Sequence, residues 1–220
     1  VSIIGGGPVP KPGEITLAHR GVLFMDEFPE FDKKVIEALR QPMEDRVVNI
    51  SRARGAARFP AQFTLVAAMN PCPCGNLGSG NRPCVCTEND LARYRRKISG
   101  PITDRIDLWL TVEHVDYEKL SGEGGRPEDS GSVCARIVAA RRMQRERFGS
   151  ESVQNAHMHA RDMAKANVSP DARQVLQECS TVFKLSPRGY HRIIKVARTI
   201  ADLEASPEIT ADHVLEAFQY

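Results

Sequence analysis

The most constraining stretch of the chain is a short apolar run that ends in two carboxylates, Gly21-Val-Leu-Phe-Met-Asp26-Glu27. Such a run, bounded by a glycine and by Pro29, is typical of a strand buried on both faces of a parallel sheet. Acids at the carboxyl end of such a strand lie where open α/β sheets bind ligands. Asp26 is suited to hold Mg²⁺ beside phosphates, and Glu27 to polarise an attacking water. The alternative is a core strand that ends in two solvated acids.

Composition sets limits on the fold and on partners. The chain has 220 residues, 41% of them hydrophobic, which is enough for one large or two small domains with buried cores. Its 30 basic and 28 acidic residues nearly balance, so net charge indicates no class of partner. Without a signal peptide, lipidation motif or long apolar run, we expect a cytoplasmic protein with no membrane partner.

A second buried strand is predicted over residues 62–69, and it ends at Asn70. If this strand lies beside the Asp26 strand, the Asn70 amide can bind a γ-phosphate or orient the attacking water. Alternatively, Asn70 only begins a turn before Pro71.

Between these two strands the sequence predicts a helix and an arginine-tipped hairpin. Asp32 is a suitable N-cap for an amphipathic helix to about Arg40. The hairpin pairs residues 47–51 with residues 57–59 across a turn that contains Gly55. Its arginines, which can contact a DNA backbone or be merely solvated, are Arg52, Arg54 and Arg58.

Four of the six cysteines lie close together in the sequence: Cys72, Cys74, Cys84 and Cys86. Four thiolates suit tetrahedral Zn²⁺, although the Cys-x-Cys spacing is tighter than the usual Cys-x-x-Cys. The alternative is four reduced thiols. The pairs are followed by a basic helix over residues 88–99 with Thr87 as its N-cap.

A third apolar strand is predicted to follow residues 100–105, with Arg105 at its start. An isolated arginine there is expected to pair with Asp104 or Asp107. A Gly-rich segment, 121–131, then predicts a linker. Beyond it no strand pattern returns, and helix starts at Ser169, Ser186 and Thr210 predict an all-helical region, with His157 and His159 as bystanders.

Taken together, these features resemble an AAA+ ATPase of the magnesium-chelatase subunit I superfamily, in its ComM/YifB-type branch. The segments that carry the resemblance are PGEITLAHRGVLFMDEFPEF, EALRQPMED, ISRARGAARFPAQFTLVAAMNPCPCG, ISGPITDRIDL and LSPRGYHRIIKVARTIADL. The resemblance implies an α/β fold: a partial parallel-sheet AAA+ core over 1–120 with an inserted hairpin, a linker over 121–131 and a helical lid over 132–220.

The resemblance also implies roles for individual residues. Asp26 and Glu27 match the Walker B pair for Mg²⁺ coordination and water activation, and Asn70 matches sensor 1. Arg105 matches an arginine finger that acts on a neighbouring subunit's ATP, and Arg188 matches sensor 2. The hairpin matches one that related helicases direct towards DNA.

The implied protein is an ATP- and Mg²⁺-dependent ring motor, usually a hexamer of identical subunits, that remodels or branch-migrates DNA. The alternatives are the motor subunit of a chelatase that inserts Mg²⁺ into protoporphyrin and a zinc-stabilised, non-catalytic scaffold. No GxxxxGK[ST] phosphate loop occurs in the sequence. We therefore expect a fragment of a longer ATPase that is inactive by itself.

Overall fold

The computed structural model describes residues 3–52, 55–78, 82–112 and 128–220. The chain divides into two compact units, Val1–Ile106 and Asp107–Tyr220. The first carries every strand of the described residues, and the second is helical. This is the predicted order of a mixed α/β region with a small parallel sheet followed by a helical region. The predicted domain bounds stay a prediction, because residues 121–127 of the proposed linker lie outside the described ranges.

Three strand pairs form the sheets of the N-terminal unit. Their bounds are β1 Gly5–Gly6, β2 Lys11–Pro12, β3 Val22–Met25, β4 Val47–Arg52, β5 Gly55–Pro60 and β6 Thr64–Ala67. β3 and β6 are parallel, with Val22 opposite Thr64 and Met25 opposite Ala67. β4 and β5 are antiparallel, which confirms the predicted hairpin. The two strands predicted to lie side by side therefore do so.

The burial of β3 differs from the prediction. Met25 is buried, but Val22 and Phe24 are 60% and 61% exposed. Alternate side chains of a strand point to opposite faces of its sheet. Within the described residues, the apolar cluster that contains Ile15, Phe28 and Ile36 also contains Met25, with Leu23 packed against it. Only one face of β3 is therefore covered, and the expectation of a strand buried on both faces is wrong for this structure.

Short helices complete the N-terminal unit: α1 Glu14–Leu17, α2 Lys33–Ala38, α3 Arg40–Asp45, α4 Glu88–Arg95 and α5 Gly100–Thr103. Asp32 stands at the N-cap of α2 as predicted, although its side chain makes no capping hydrogen bond. Thr87 caps α4 as predicted, in a reciprocal capping box with Asp90.

The predicted third strand is wrong. Residues 107–112 have no regular secondary structure and belong to no strand among the described residues, and Leu110 and Val112 are exposed. A strand needs a neighbour for its ladder of backbone hydrogen bonds. Here the Trp109 N–H instead donates to the carbonyl of Tyr220, at 3.0 Å.

The α-helices in the described residues of the C-terminal unit are α6 Ser130–Phe148, α7 Pro170–Val182, α8 Pro187–Leu203 and α9 Ala211–Ala217. The hydroxyls of Ser169 and Ser186 accept the capping N–H groups of α7 and α8, as predicted for Ser-Pro helix starts. Leu176, Ile194 and Val214 belong to the core that these helices share. No helix of the described residues is both long and apolar enough to cross a membrane.

Candidate functional site

The ends of β3 and β6 bring the predicted acidic and amide residues to one edge of the parallel pair. The Ala68 N–H donates to the Met25 carbonyl at 2.9 Å, and the Phe28 N–H donates to the Ala68 carbonyl at 2.9 Å. These two bonds continue the pairing past the strands themselves. The turn that carries Asp26 and Glu27 is thereby held beside the segment that leads to Asn70.

The backbone of Glu27 is in a strained conformation. Its φ of 48° lies in the left-handed region, which few residues other than glycine occupy. Its N–H donates to Asp26 Oδ1 at 2.9 Å, and both acidic residues are exposed. Strain of this kind is concentrated at functional sites. The two carboxylates are therefore held in place by the turn and open to a ligand.

Glu27 and Asn70 line one open cleft, as the sequence predicted for residues at neighbouring strand ends. The residues that line it are Glu27, Glu30, Asn70, Cys72, Pro73 and Tyr94. Carboxylate and amide oxygens are the hard ligands and hydrogen-bond partners suited to Mg²⁺ and to an attacking water.

Tyr94 is a site residue that the sequence interpretation placed only on the apolar face of its helix. It is buried, and its hydroxyl donates to the carbonyl of Asn70 at 3.0 Å. Burial raises the pKa of Tyr94, with Glu30 adding to the effect, so the phenol remains a hydrogen-bond donor at neutral pH. No local pattern joins these two residues, because they lie 24 positions apart.

The four clustered cysteines converge on one point, and Cys72 among them lines this cleft. Their sulfur atoms all lie within 4.8 Å of one another. The measured separations are 3.4 Å for Cys72–Cys74, 3.7 Å for Cys72–Cys84 and 3.6 Å for Cys74–Cys84. A disulfide requires about 2.05 Å, and four sulfurs bound tetrahedrally to zinc lie about 3.8 Å apart. The spacing fits a tetrathiolate metal site.

The thiols of this cluster differ in acidity. The backbone N–H groups of Asn76 and Val85 lower the pKa of Cys74 to about 6. Burial raises the pKa of Cys86 to about 12. A cation bound by these thiols would displace their protons, because the thiolate is the form that binds a metal.

Arg105 has a different partner from the ones predicted. Its Nη1 donates to the Pro101 carbonyl at 2.6 Å, and its Nη2 pairs with Glu44. The expected pairing with Asp104 or Asp107 is wrong, because the side chain reaches back across α5 to an acid at the end of α3. Its Nε is buried and has no hydrogen-bond partner among the described residues.

The other predicted site residues are placed as follows. Arg188 is the second residue of α8, exposed, in the C-terminal unit. Arg58 is exposed on β5 opposite Asn49. Arg54 and the side chain of Arg52 lie outside the described residues, so the DNA-binding role of the hairpin tip stays a prediction.

Comparison with known proteins gives matches along the whole chain. The family model "Magnesium chelatase, subunit ChlI" matches residues 1–120, and "Magnesium chelatase, subunit ChlI C-terminal" matches residues 127–220. The competence protein ComM of Haemophilus influenzae is 42% identical over 100% of this chain. The protein YifB of Salmonella typhimurium is 40% identical over the same share.

A more distant relative is the DNA replication licensing factor Mcm6 of Drosophila pseudoobscura, 26% identical over 95% of this chain. The chain spans 42% of the length of ComM and of YifB, and 25% of the length of Mcm6.

Proposed function

Because this chain belongs to the family of magnesium chelatase subunit ChlI, we propose that its protein is an ATP-hydrolysing ring motor that remodels or branch-migrates DNA. The observation that carries the proposal is the common strand edge, where the Asp26–Glu27 turn and Asn70 lie side by side. Phosphoryl transfer requires a metal ligand, an orienter of the nucleophile and a stabiliser of charge in one place. The side chains at this edge are of the types suited to the first two requirements.

The residues of the edge take distinct parts in the proposed reaction. Asp26 supplies carboxylate oxygens for Mg²⁺, which neutralises phosphate charge when bound with ATP. Glu27 accepts a proton from the attacking water. Asn70 orients that water or donates to the terminal phosphate. The exposure of both acids supports these roles, because an exposed carboxylate is accessible to a ligand.

Two arginines complete the proposed site by stabilising charge. Arg188 contacts the nucleotide as sensor 2, and Arg105 serves the ATP of a neighbouring subunit in a ring, which we propose is a hexamer. In this chain Arg105 is paired with Glu44. Service to a neighbour therefore requires that Arg105 exchange Glu44 for phosphate, a stronger and more highly charged partner.

DNA is the proposed substrate for two reasons. One is the hairpin, whose exposed Arg58 and tip arginines, Arg52 and Arg54, are suited to phosphate contacts. The other reason is that two relatives are named as a competence protein and as a DNA replication licensing factor. The family description itself favours a chelatase motor as a second candidate, but the relative with 42% identity is the competence protein.

We further propose that the four cysteines bind zinc as a structural ion. The support is the donor set of four thiols and the sulfur separations of 3.4 to 3.7 Å. Titration with Co²⁺ tests this, because a tetrathiolate site gives intense visible absorption. A spectrum without those bands would reject the site.

The motor proposal is tested by measuring ATP turnover of the full-length protein with and without four-way DNA. We expect Mg²⁺-dependent turnover that branched DNA stimulates. Turnover that DNA does not change would favour the chelatase motor instead. No turnover at all would reject an ATPase and leave a scaffold held by the cysteine cluster.

A further inference from the structure

The four-cysteine cluster joins the two segments that hold Asn70. Cys72 follows Asn70 by two residues, and Cys86 immediately precedes Thr87, the N-cap of α4. Tyr94 on α4 returns to Asn70 and donates to its carbonyl at 3.0 Å. The chain thus leads from Asn70 through the cysteine cluster into α4, and the Tyr94 hydroxyl on α4 contacts Asn70 again.

Helix α4 is fixed at its start by a capping box. The Thr87 N–H donates to Asp90 Oδ2 at 3.1 Å, and the Asp90 N–H donates to the Thr87 hydroxyl at 3.2 Å. Because Cys86 immediately precedes this box, a displacement of Cys86 also moves the start of α4.

Beyond the other end of α4, Lys97 pairs with Glu30 at 2.8 Å and lies 5.7 Å from the centre of the Tyr94 ring. Glu30 belongs to the turn that Glu27 begins. The helix and the residues that follow it consequently contact both sides of the candidate active site, the acidic turn through Lys97 and the Asn70 segment through Tyr94.

We propose that a metal ion in the four-cysteine cluster positions Asn70 for ATP hydrolysis, with Tyr94 as the positioning residue, so that metal occupancy sets the turnover rate. The predicted effect on ATP turnover rests on the motor function proposed above. Without a metal, no ion joins the two cysteine pairs, and the pairs lose a constraint on their separation. The hydrogen bond from the Tyr94 hydroxyl then remains as a link between α4 and Asn70.

The first experiment measures hydrogen exchange in the full-length protein at the peptide that covers residues 64–72. It compares zinc-loaded protein, protein stripped with a chelator, stripped protein reloaded with zinc, and the zinc-loaded Tyr94→Phe variant. We expect faster exchange after stripping, recovery on reloading, and faster exchange in Tyr94→Phe at full zinc content. Exchange that stays the same after stripping, or in Tyr94→Phe, would overturn the proposal.

The second experiment measures the kinetics of Tyr94→Phe, which removes one hydroxyl. One net hydrogen bond corresponds to a decrease in kcat of roughly fivefold. We expect an unchanged KM for ATP, because Asn70 is displaced without loss of the nucleotide's other contacts. The matched control is Tyr220→Phe, which removes an exposed hydroxyl in the other unit and leaves kcat unchanged. A kcat of Tyr94→Phe equal to that of Tyr220→Phe would contradict the positioning role.

The two experiments separate this inference from the motor proposal. If the unaltered protein hydrolyses no ATP, the motor proposal fails, and hydrogen exchange still decides whether metal and Tyr94 hold Asn70. If the protein hydrolyses ATP but neither zinc nor the Tyr94 hydroxyl affects exchange, the inference fails and the motor proposal stands.

Discussion

The two units of this chain use charged residues in opposite ways. In the C-terminal unit one set of charges is buried and paired: Asp202 is 1% exposed and binds Arg147 Nη1 at 2.8 Å and Arg198 Nε at 3.1 Å. In the N-terminal unit, Asp26 and Glu27 are exposed at the end of a strand. The first set of charges is used by the fold, and the second is open to a ligand.

The buried set is closed by further hydrogen bonds. Arg198 also donates to the carbonyls of Ala166 at 3.1 Å and Ser206 at 2.6 Å, and Asn155 donates to Asp202 Oδ2 at 2.8 Å. Burial lowers the pKa of Arg198, and the neighbouring Asp202 opposes that change. A buried charge whose bonds are all made inside the unit has no capacity left for a ligand, which separates this cluster from a functional site.

The largest expected effect comes from breaking the buried network. Asp202→Ala leaves two arginines without their shared carboxylate, and loss of one partner of a buried ion pair costs about 4 kcal/mol of unfolding free energy. Urea unfolding of the chain, followed by the fluorescence of Trp109 in the same unit, measures this cost.

Glu208→Ala is the control for Asp202→Ala, because Glu208 is an exposed acid of the same unit. It should change the unfolding free energy by less than about 0.5 kcal/mol. Equal effects of the two substitutions would show that the network contributes no more than a surface charge.

Substitution of the exposed acids should have the opposite effect to Asp202→Ala: activity is lost, and the unfolding free energy changes little. Glu27→Gln keeps size and polarity but removes the proton acceptor, which should lower kcat roughly 100-fold, or about 2.7 kcal/mol of barrier. ATP turnover and ATP binding of the full-length protein measure this, and binding should persist. Normal turnover would remove Glu27 from the mechanism.

Substitution of the hairpin arginines should have a smaller effect, which is seen only in DNA binding. Replacing both Arg52 and Arg54 with Ala should lower the slope of log affinity against log salt by about 1.8, if each contacts one phosphate. DNA binding measured across a salt series gives this slope. An unchanged slope would mean that neither arginine contacts the backbone.

The smallest effect distinguishes two helix caps. Ser169 accepts the Ala172 N–H at 3.2 Å, so Ser169→Ala should cost about 1 kcal/mol. Asp32 makes no capping bond at α2, and Asp32→Ala should cost only a few tenths of a kcal/mol, about the value of a charge near a helix N-terminus. Thermal unfolding of both variants compares them, and a larger cost for Asp32→Ala would contradict the geometry.

Local patterns predicted much of the fold correctly. The two parallel strands, the hairpin, the Thr87 cap and the Ser-Pro helix starts follow from periodicity and capping chemistry within a few residues. The third strand was wrong because residues 107–112 have strand-like composition but find no strand to pair with in the described part of the chain. Composition describes a residue's preference, whereas a strand also depends on its neighbour.

The residues of the candidate site also divide into those that the local sequence predicts and those that it misses. Asp26, Glu27 and Asn70 were predicted because each ends an apolar run, and the cysteines because thiols at close spacing are a ligand set in themselves. Glu44 as the partner of Arg105 and Tyr94 as the partner of Asn70 were missed. Each pair joins residues far apart in sequence, 61 and 24 positions respectively.

The sequence by itself therefore determined which chemical groups this protein carries and at which strand ends and helix starts they stand, because those features depend on neighbours along the chain. Only the tertiary structure decided which charges are buried and paired, which face of β3 is covered, and which side chain holds Asn70. These outcomes depend on distances between segments remote in sequence, which are fixed only when each unit folds.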